Sequence, residues 1–127
     1  MIDLVQWSTG AAAGGAGVAT ATGYSPRIAG EVLAVHLEYG DSPPAGTDFA
    51  LSDESDPASE SIVSLTDANS DVKIYPRRKV QDSGNTDVTY DGSNEIYEPC
   101  VVHGRMEATI SQANNGDSVT VTAWIRR

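Results

Sequence analysis

Residues 27–39 read RIAGEVLAVHLEY, and the fold class can be inferred from this segment. From Glu31 onward, the alternate positions Leu33, Val35, Leu37 and Tyr39 form a face that is more apolar than the positions between them. A period of two residues is typical of a half-buried β-strand, and a 3.6-residue helical repeat would not bring these side chains together. The segment therefore predicts a strand with one buried face.

The last quarter of the chain predicts two more strands. In residues 101–112, Met106, Ala108 and Ile110 share one face. Residues 113–116 (ANNG) form a tight turn, because Asn and Gly tolerate positive φ. The strand after the turn points the following side chains inward: Val119, Val121, Ala123 and Ile125. We interpret this pair as a β-hairpin that leaves Trp124 on the outer face.

Further short strands are predicted between these two regions, with turn residues recurring every 8 to 12 positions. No segment has the length, periodicity and caps of a helix. The pattern predicts an all-β protein, an antiparallel β-sandwich or jelly-roll-like barrel of about seven to nine short strands.

The N-terminal region differs in composition from the rest. Residues 8–23 read STGAAAGGAGVATATG and contain no side chain larger than Val18. Such a segment has little apolar area to bury. We therefore predict an extended arm over residues 1–26, whose small residues let its backbone closely approach a neighbouring subunit, followed by a β-sandwich domain over residues 27–127. Within the arm, residues 1–7 form a strand or a docking peptide, and residues 18–24 are a candidate edge strand.

Composition excludes several classes of function. The formal net charge is −10, which disfavours binding to nucleic acid and to anionic membranes. Apolar residues make up 39% of the 127 residues, and so lean a core favours oligomerisation. No apolar run is long enough to span a membrane. The first residues lack the basic charge of a secretory signal.

No catalytic, cofactor or metal site is predicted. Cys100, the single cysteine, is expected to be a partly buried thiol on the face opposite His103, and neither His36 nor His103 belongs to a recognisable catalytic unit. Residues 14–17 (GGAG) lack the spacing of a nucleotide-binding loop. Residues 67–71 (DANSD) begin like an EF-hand loop, but Val72 stands where that motif needs Gly. These residues and the acidic turn 53–56 are either solvated or weak calcium sites.

Candidate interaction residues are basic or aromatic. Residues 75–79 (YPRRK) hold three of the eight basic residues of the chain: Arg77, Arg78 and Lys79. They either dock an acidic partner or pair with the acidic loops around Asp53 or Asp67 of the same chain. Trp7 and Trp124 are candidate interface anchors, with core or edge-strand packing as the alternative.

The small-residue arm, AGEVLAVHLEY (29–39), YPRRK (75–79) and HGRMEATISQANNGDSVTVTAWIRR (103–127) together resemble structural proteins of tailed-bacteriophage virions. The resemblance is greatest to capsid decoration (cement) proteins. It implies a non-enzymatic homo-oligomer, with a trimer favoured, made in the host cytoplasm and bound to the major capsid protein or other virion proteins on the capsid surface. It transfers no individual binding residue.

Three alternatives stay open. The first is a tail, head–tail connector or baseplate protein of a phage. The second is a carbohydrate-binding β-sandwich that uses exposed aromatic residues, namely Tyr39, Tyr90, Tyr97 and Trp124. The third is a hydrolase built on a strand histidine, which lacks a paired acid or base in the sequence.

Overall fold

The computed structural model describes residues 1–127 and consists of ten antiparallel strands in two sheets, which confirms the predicted all-β sandwich. The strands are β1 (Ile2–Ser8), β2 (Ala19–Tyr24), β3 (Ile28–Gly40), β4 (Asp48–Asp53), β5 (Ser61–Leu65), β6 (Val72–Ile74), β7 (Arg77–Lys79), β8 (Tyr97–Gly104), β9 (Met106–Ala113) and β10 (Ser118–Arg126). None of its segments is a helix long and apolar enough to cross a membrane.

The strand order is that of a jelly roll. One sheet has the order β1-β10-β3-β8-β7, with β6 also paired to β3, and the other has the order β2-β9-β4-β5. Eight strands remain when the short strands β6 and β7 are left out. In chain order the first pairs with the last (β1 with β10) and the second with the second-last (β2 with β9), followed by β3 with β8 and β4 with β5. This arrangement is two Greek keys rolled into two facing sheets.

The core lies between the two sheets. The six-stranded sheet contributes Val35, Leu37 and Val121, and the four-stranded sheet contributes Phe49 and Ile110, all of them almost fully buried. The predicted inward faces of the two C-terminal strands are confirmed, since these side chains are buried: Met106, Ala108, Ile110, Val119, Val121, Ala123 and Ile125.

The predicted C-terminal hairpin is wrong, although its turn is present. β9 lies in the four-stranded sheet between β2 and β4, whereas β10 lies in the other sheet between β1 and β3. The connection is closed by Asp117, whose amide donates to the Asn114 carbonyl at 3.1 Å and whose carboxylate accepts from the Asn114 amide at 2.8 Å. A hairpin and a crossing between sheets both turn the same side chains toward the core, so alternation does not distinguish them.

The central strand β3 contains a β-bulge that sequence periodicity does not reveal. Trp124 of β10 pairs with Ala34, but the next residue, Ile125, pairs with Val32, so Leu33 has no partner on β10. Such an extra residue shifts the alternation by one position. The predicted inward face is therefore correct at Val35, Leu37 and Tyr39, which are buried, and wrong at Glu31 and Leu33.

The predicted extended arm over residues 1–26 is also wrong. β1 pairs with β10 along its whole length, and β2 pairs with β9 in the opposite sheet. Four residues of this region belong to the hydrophobic core: Val5, Trp7, Ala12 and Ala19. The N-terminal residues are thus part of the sandwich.

The small residues of this region allow backbone to pass close to backbone within the same chain. A Cβ atom placed on Gly23 would lie 2.0 Å from the Ser8 carbonyl oxygen, and one on Gly14 would lie 2.9 Å from the Cα of Ala19. Glycine is required at both positions for this steric reason. Close approach was predicted from the composition, but the neighbouring backbone belongs to the same chain.

The same change, valine to alanine, made at residue 5 or at residue 101, tests whether β1 belongs to the core. Val5→Ala removes buried apolar atoms and leaves a cavity, so we expect the free energy of unfolding to fall by about 2 kcal/mol. Val101→Ala is the matched control, since Val101 is 62% exposed, and should change it by less than about 0.5 kcal/mol. Urea denaturation followed by tryptophan fluorescence measures both. Equal effects of the two substitutions would contradict the burial of β1.

Candidate functional site

The outer face of the six-stranded sheet carries a grouping of apolar and aromatic side chains that the strand register brings together. Trp124 of β10 points away from the core, and its cross-strand partner on β1 is Leu4. On the other side, β6 pairs with β3 and places Lys73 on the same outer face, opposite His36. We call Leu4, Lys73, Tyr75 and Trp124 the Trp124 patch.

Lys73 connects the aromatic members of the patch. Its Nζ atom lies 4.1 Å from the ring centroid of Trp124 and 5.6 Å from that of Tyr75. Both distances are within the range of a cation–π interaction. The ammonium group orders the two rings and places a positive charge at the centre of the patch, in a chain whose net charge is −10.

Most of the patch is accessible to a partner. Leu4 is 63% exposed and Tyr75 60%, and the neighbouring Ile2 on the same face of β1 is 58% exposed. Apolar side chains grouped on one rigid sheet face are typical of protein interaction surfaces. The geometry is a shallow platform on which the flat surface of another molecule can pack.

The structure separates the two predicted tryptophan anchors. Trp124 lies on the outer face, as predicted. Trp7 is buried in the core with 8% exposure, so it is not available as a surface anchor. Its burial follows from the alternation of β1, which turns Val5 and Trp7 inward and Leu4 outward.

The basic cluster pairs with acidic residues of the same chain, as one of the two alternatives predicted, but only Glu60 belongs to the acidic loops named there, and the other partners lie at Asp87, Glu95 and Glu98. The Arg78 guanidinium lies 3.4 Å from Glu98 and 3.9 Å from Glu60. Lys79 lies 3.1 Å from Glu95 and 3.4 Å from Asp87. The hydrogen bond and the charge of Glu95, followed by the charge of Asp87, raise the pKa of Lys79.

Arg77 has a structural partner as well. Its Nη1 atom donates to the carbonyl oxygen of Leu33 at 3.2 Å and to that of Pro76 at 2.7 Å. Leu33 is the bulged residue of β3, between the part of β3 that pairs with β8 and the part that pairs with β6. Arg77 therefore occupies the gap between the ends of two strands.

The four aromatic residues of the carbohydrate-binding alternative do not converge on one surface. Tyr39 is buried with 9% exposure. Tyr90 and Tyr97 are exposed, but Tyr90 lies in the segment between β7 and β8, and Tyr97 begins β8, where its hydroxyl donates to Glu95 at 3.2 Å. Trp124 lies beneath Lys73. The structure thus gives no aromatic platform composed of these residues.

In the two acidic turns, residues 53–56 and 67–71, aspartate carboxylates accept hydrogen bonds from backbone amides. Asp53 is buried, and its carboxylate accepts hydrogen bonds from the amides of Ser55 at 3.1 Å and His103 at 3.0 Å. In the second turn, the Asp71 carboxylate accepts from the Tyr39 amide at 2.9 Å. No group of three or more His, Cys, Asp or Glu side chains is placed to hold a metal ion.

A polar cleft lies beside the second turn. It has a volume of about 530 Å³ and is lined by Tyr39, Asp41, Ser42, Pro43, Asn69, Ser70 and Asp71. Asn69 is oriented by a hydrogen bond to the Pro43 carbonyl at 2.9 Å. The buried Tyr39 hydroxyl has no hydrogen-bond partner in the protein. Burial, and secondarily the charge of Asp71, raises the pKa of Tyr39.

The single cysteine and the two histidines are not grouped. Cys100 is buried in β8, whereas His103 points outward from the same strand, so the prediction that they lie on opposite faces is confirmed. Burial is the main cause that raises the pKa of Cys100. His36 lies in the centre of the outer face, opposite Thr122 and Lys73.

Sequence reasoning identified Trp124 and included Tyr75 in the cluster 75–79, but it missed Leu4 and Lys73. The signal for Leu4 was present in the alternation of residues 2–7. The registers of β1 with β10 and of β6 with β3 bring these residues together, and no local pattern in the sequence specifies them.

No protein-family model matches the chain, and neither does any curated protein. Among solved structures, it is similar to "Crystal Structure of FLHE" at 12% identity and a TM-score of 0.46, covering 99% of this chain and 98% of that one. A family 32 carbohydrate-binding module from C. perfringens NanJ, in complex with galactose, matches at 9% identity and a TM-score of 0.46, covering 95% and 93%.

The infectious bursal disease virus VP2 subviral particle matches at 12% identity and a TM-score of 0.40. That alignment covers 99% of this chain but only 32% of the viral chain. Likeness at these identities and TM-scores concerns the general β architecture alone, and a shared fold does not determine function.

Alkylation tests the placement of Cys100. Because burial raises the pKa of Cys100, the thiolate fraction at a given pH is smaller than for a free cysteine, and access is blocked as well. We expect iodoacetamide at pH 8 to modify the native protein at least about ten-fold more slowly than the urea-unfolded protein. Mass spectrometry over time measures both rates, and equal rates would show that Cys100 is exposed.

Proposed function

We propose that this chain is a non-enzymatic structural protein that binds another protein through the Trp124 patch. We further propose that it decorates and stabilises the outer surface of a tailed-phage capsid. The observation that carries the first part is the grouping of the exposed Leu4 and Tyr75 around the half-buried Trp124 on one sheet face. The second part follows from the virion-protein resemblance of residues 29–39, 75–79 and 103–127.

The chemistry of the patch suits a protein surface. A central Trp surrounded by apolar side chains is the composition of an interface hot spot, where one aromatic residue contributes much of the binding energy. Lys73, held over the rings, offers a positive charge to a carboxylate of the partner. The sheet beneath the patch is part of the core and presents these groups without a loss of backbone entropy.

The contact to the capsid is thus assigned to the sheet face. The N-terminal residues that were expected to reach a neighbouring subunit are held in β1 and β2. A shell offers many equivalent sites, and an oligomer of the chain engages several of them at once, so modest affinity at each patch produces strong attachment.

Trp124→Ala tests the patch. Loss of a central aromatic anchor costs about 2 kcal/mol, and we expect binding to be weakened about thirty-fold. The measurement is co-sedimentation of purified protein with capsid shells assembled from the major capsid protein of the same genome. Tyr90→Ala is the control, because Tyr90 is 71% exposed but lies outside the patch.

The two variants should have equal unfolding midpoints, so that a loss of binding is not a loss of folding. Unchanged attachment of Trp124→Ala to the shells would refute the role of the patch. If the wild-type protein does not bind shells but is found in purified virions at about 6 to 12 copies, the tail or connector alternative is favoured instead.

A second candidate function, glycan binding, is supported by the polar cleft. Asp41, Asn69 and Asp71 supply carboxylate and amide groups that hydrogen-bond sugar hydroxyls, and the volume of about 530 Å³ accommodates a monosaccharide. NMR titration with a panel of monosaccharides tests this function. Shifts confined to the cleft and abolished by Asn69→Ala would support it, and the absence of shifts at millimolar sugar would exclude it.

A further inference from the structure

We propose that the free edge of β1 pairs, antiparallel, with the same edge of a second copy, so that the two six-stranded sheets join into one. β1 is the terminal strand of its sheet, with β10 on one side and no strand on the other. This inference concerns self-association, needs no capsid, and stands or falls independently of the proposed function.

Backbone hydrogen bonds at the two ends of β1 show which groups face the free edge. The Met1 carbonyl accepts from the Arg127 amide at 3.1 Å, and the Thr9 amide donates to the Val119 carbonyl at 3.0 Å. In an antiparallel ladder, alternate residues direct their N–H and C=O groups to the same neighbour. Odd-numbered residues of β1 therefore face β10, and the backbone groups of Ile2, Leu4 and Gln6 face outward.

The accessible stretch ends near Ser8. Gly23 of β2 lies so close to the Ser8 carbonyl that a Cβ atom there would be 2.0 Å from the oxygen. A partner strand thus has access to the backbone from Ile2 to Gln6, which we call the β1 edge.

The β1 edge has few of the features by which proteins protect exposed strands, because its single charge, Asp3, lies on the inner side and is paired with Arg127. The opposite edge of the same sheet is β7, which is three residues long, follows Pro76, and consists of Arg77, Arg78 and Lys79. Charges, proline and short length all prevent edge-to-edge pairing. By contrast, β1 has seven residues and pairs with β10 without a bulge, and its outward side chains Ile2, Leu4 and Gln6 are uncharged.

Charge does not oppose a second copy at this position. Two copies that each carry a net charge of −10 repel each other over most of their surface. Beside β1, however, the carboxylates are neutralised, because Asp3 pairs with Arg127 and Glu31 pairs with Arg126. Two chains can therefore approach here without bringing unpaired like charges together.

The edge is also complementary to itself. A two-fold axis beside Leu4 places Leu4 opposite Leu4 of the second copy, and Ile2 opposite Gln6 of the second copy. This register gives about six backbone hydrogen bonds between the copies. The outward side chains of both strands then form one apolar strip next to Trp124 of each copy. An isologous contact of this kind closes at two subunits, not at the three that the resemblance implies.

The solution mass tests the proposal. Sedimentation equilibrium of the wild-type protein at micromolar concentration should give twice the chain mass of 13.3 kDa. Leu4→Lys places two ammonium groups face to face and should raise the dimer dissociation constant at least about ten-fold. The control is Val101→Lys, which introduces the same charge at a residue 62% exposed, compared with 63% for Leu4, and should leave the dimer intact.

Cross-linking tests the register. Facing residues of a hydrogen-bonded antiparallel pair have Cα atoms about 5.5 Å apart, within reach of a disulfide. Leu4→Cys should form a disulfide-linked dimer on mild oxidation, whereas Gln6→Cys, whose two copies lie on opposite sides of the axis, should not. A monomeric or trimeric wild type, a dimer unaffected by Leu4→Lys, or equal cross-linking of the two cysteine variants would overturn the proposal.

Discussion

The pairing of β3 with β10 is the interaction on which the rest of the structure depends. These two strands pair from Glu31 to Gly40 and bring Val35, Leu37, Val121 and Ala123 together in the centre of the core. Every other strand of the six-stranded sheet is attached to one of them or to β8. Because apolar residues are few in this chain, the long register between its two most apolar segments supplies a large part of the buried area.

Arg77 of the basic cluster fills a gap in strand pairing beside Leu33. β8 pairs with β3 up to Val32, and β6 pairs from Val35 onward, so the carbonyl of Leu33 has no strand partner on that side. Arg77 donates to this carbonyl, while Arg78 and Lys79 neutralise nearby carboxylates. In an acidic sequence, this basic cluster suggests a docking site. In the structure it instead completes the strand pairing and protects the edge of the six-stranded sheet.

Period-two alternation predicted the fold class and the buried faces correctly, because both follow from which side chains avoid water. The bulge, the crossing from β9 to β10 and the place of the first 26 residues were not predicted. All three depend on which strand lies next to which. Residues such as Gly23 and Ala19 belong to no apolar pattern from which this strand order could be inferred. Likewise, Trp124 could be assigned to an outer face, but Lys73 reaches it only through the register of β6 with β3.

The incorporation of the N-terminal residues changes the interpretation of the surface. Since β1 is the last strand of the sheet, its inward residues Val5 and Trp7 complete the core, and its outward residues Ile2 and Leu4 extend the apolar face around Trp124. The chain has few apolar residues for its core, and yet the large side chains of Ile2 and Leu4 are exposed to water. Leaving such apolar area solvated provides none of the stabilisation that its burial would give. Burial against another protein surface would recover this free energy, which is why the patch and the adjoining β1 edge are the parts of this molecule best suited to assembly.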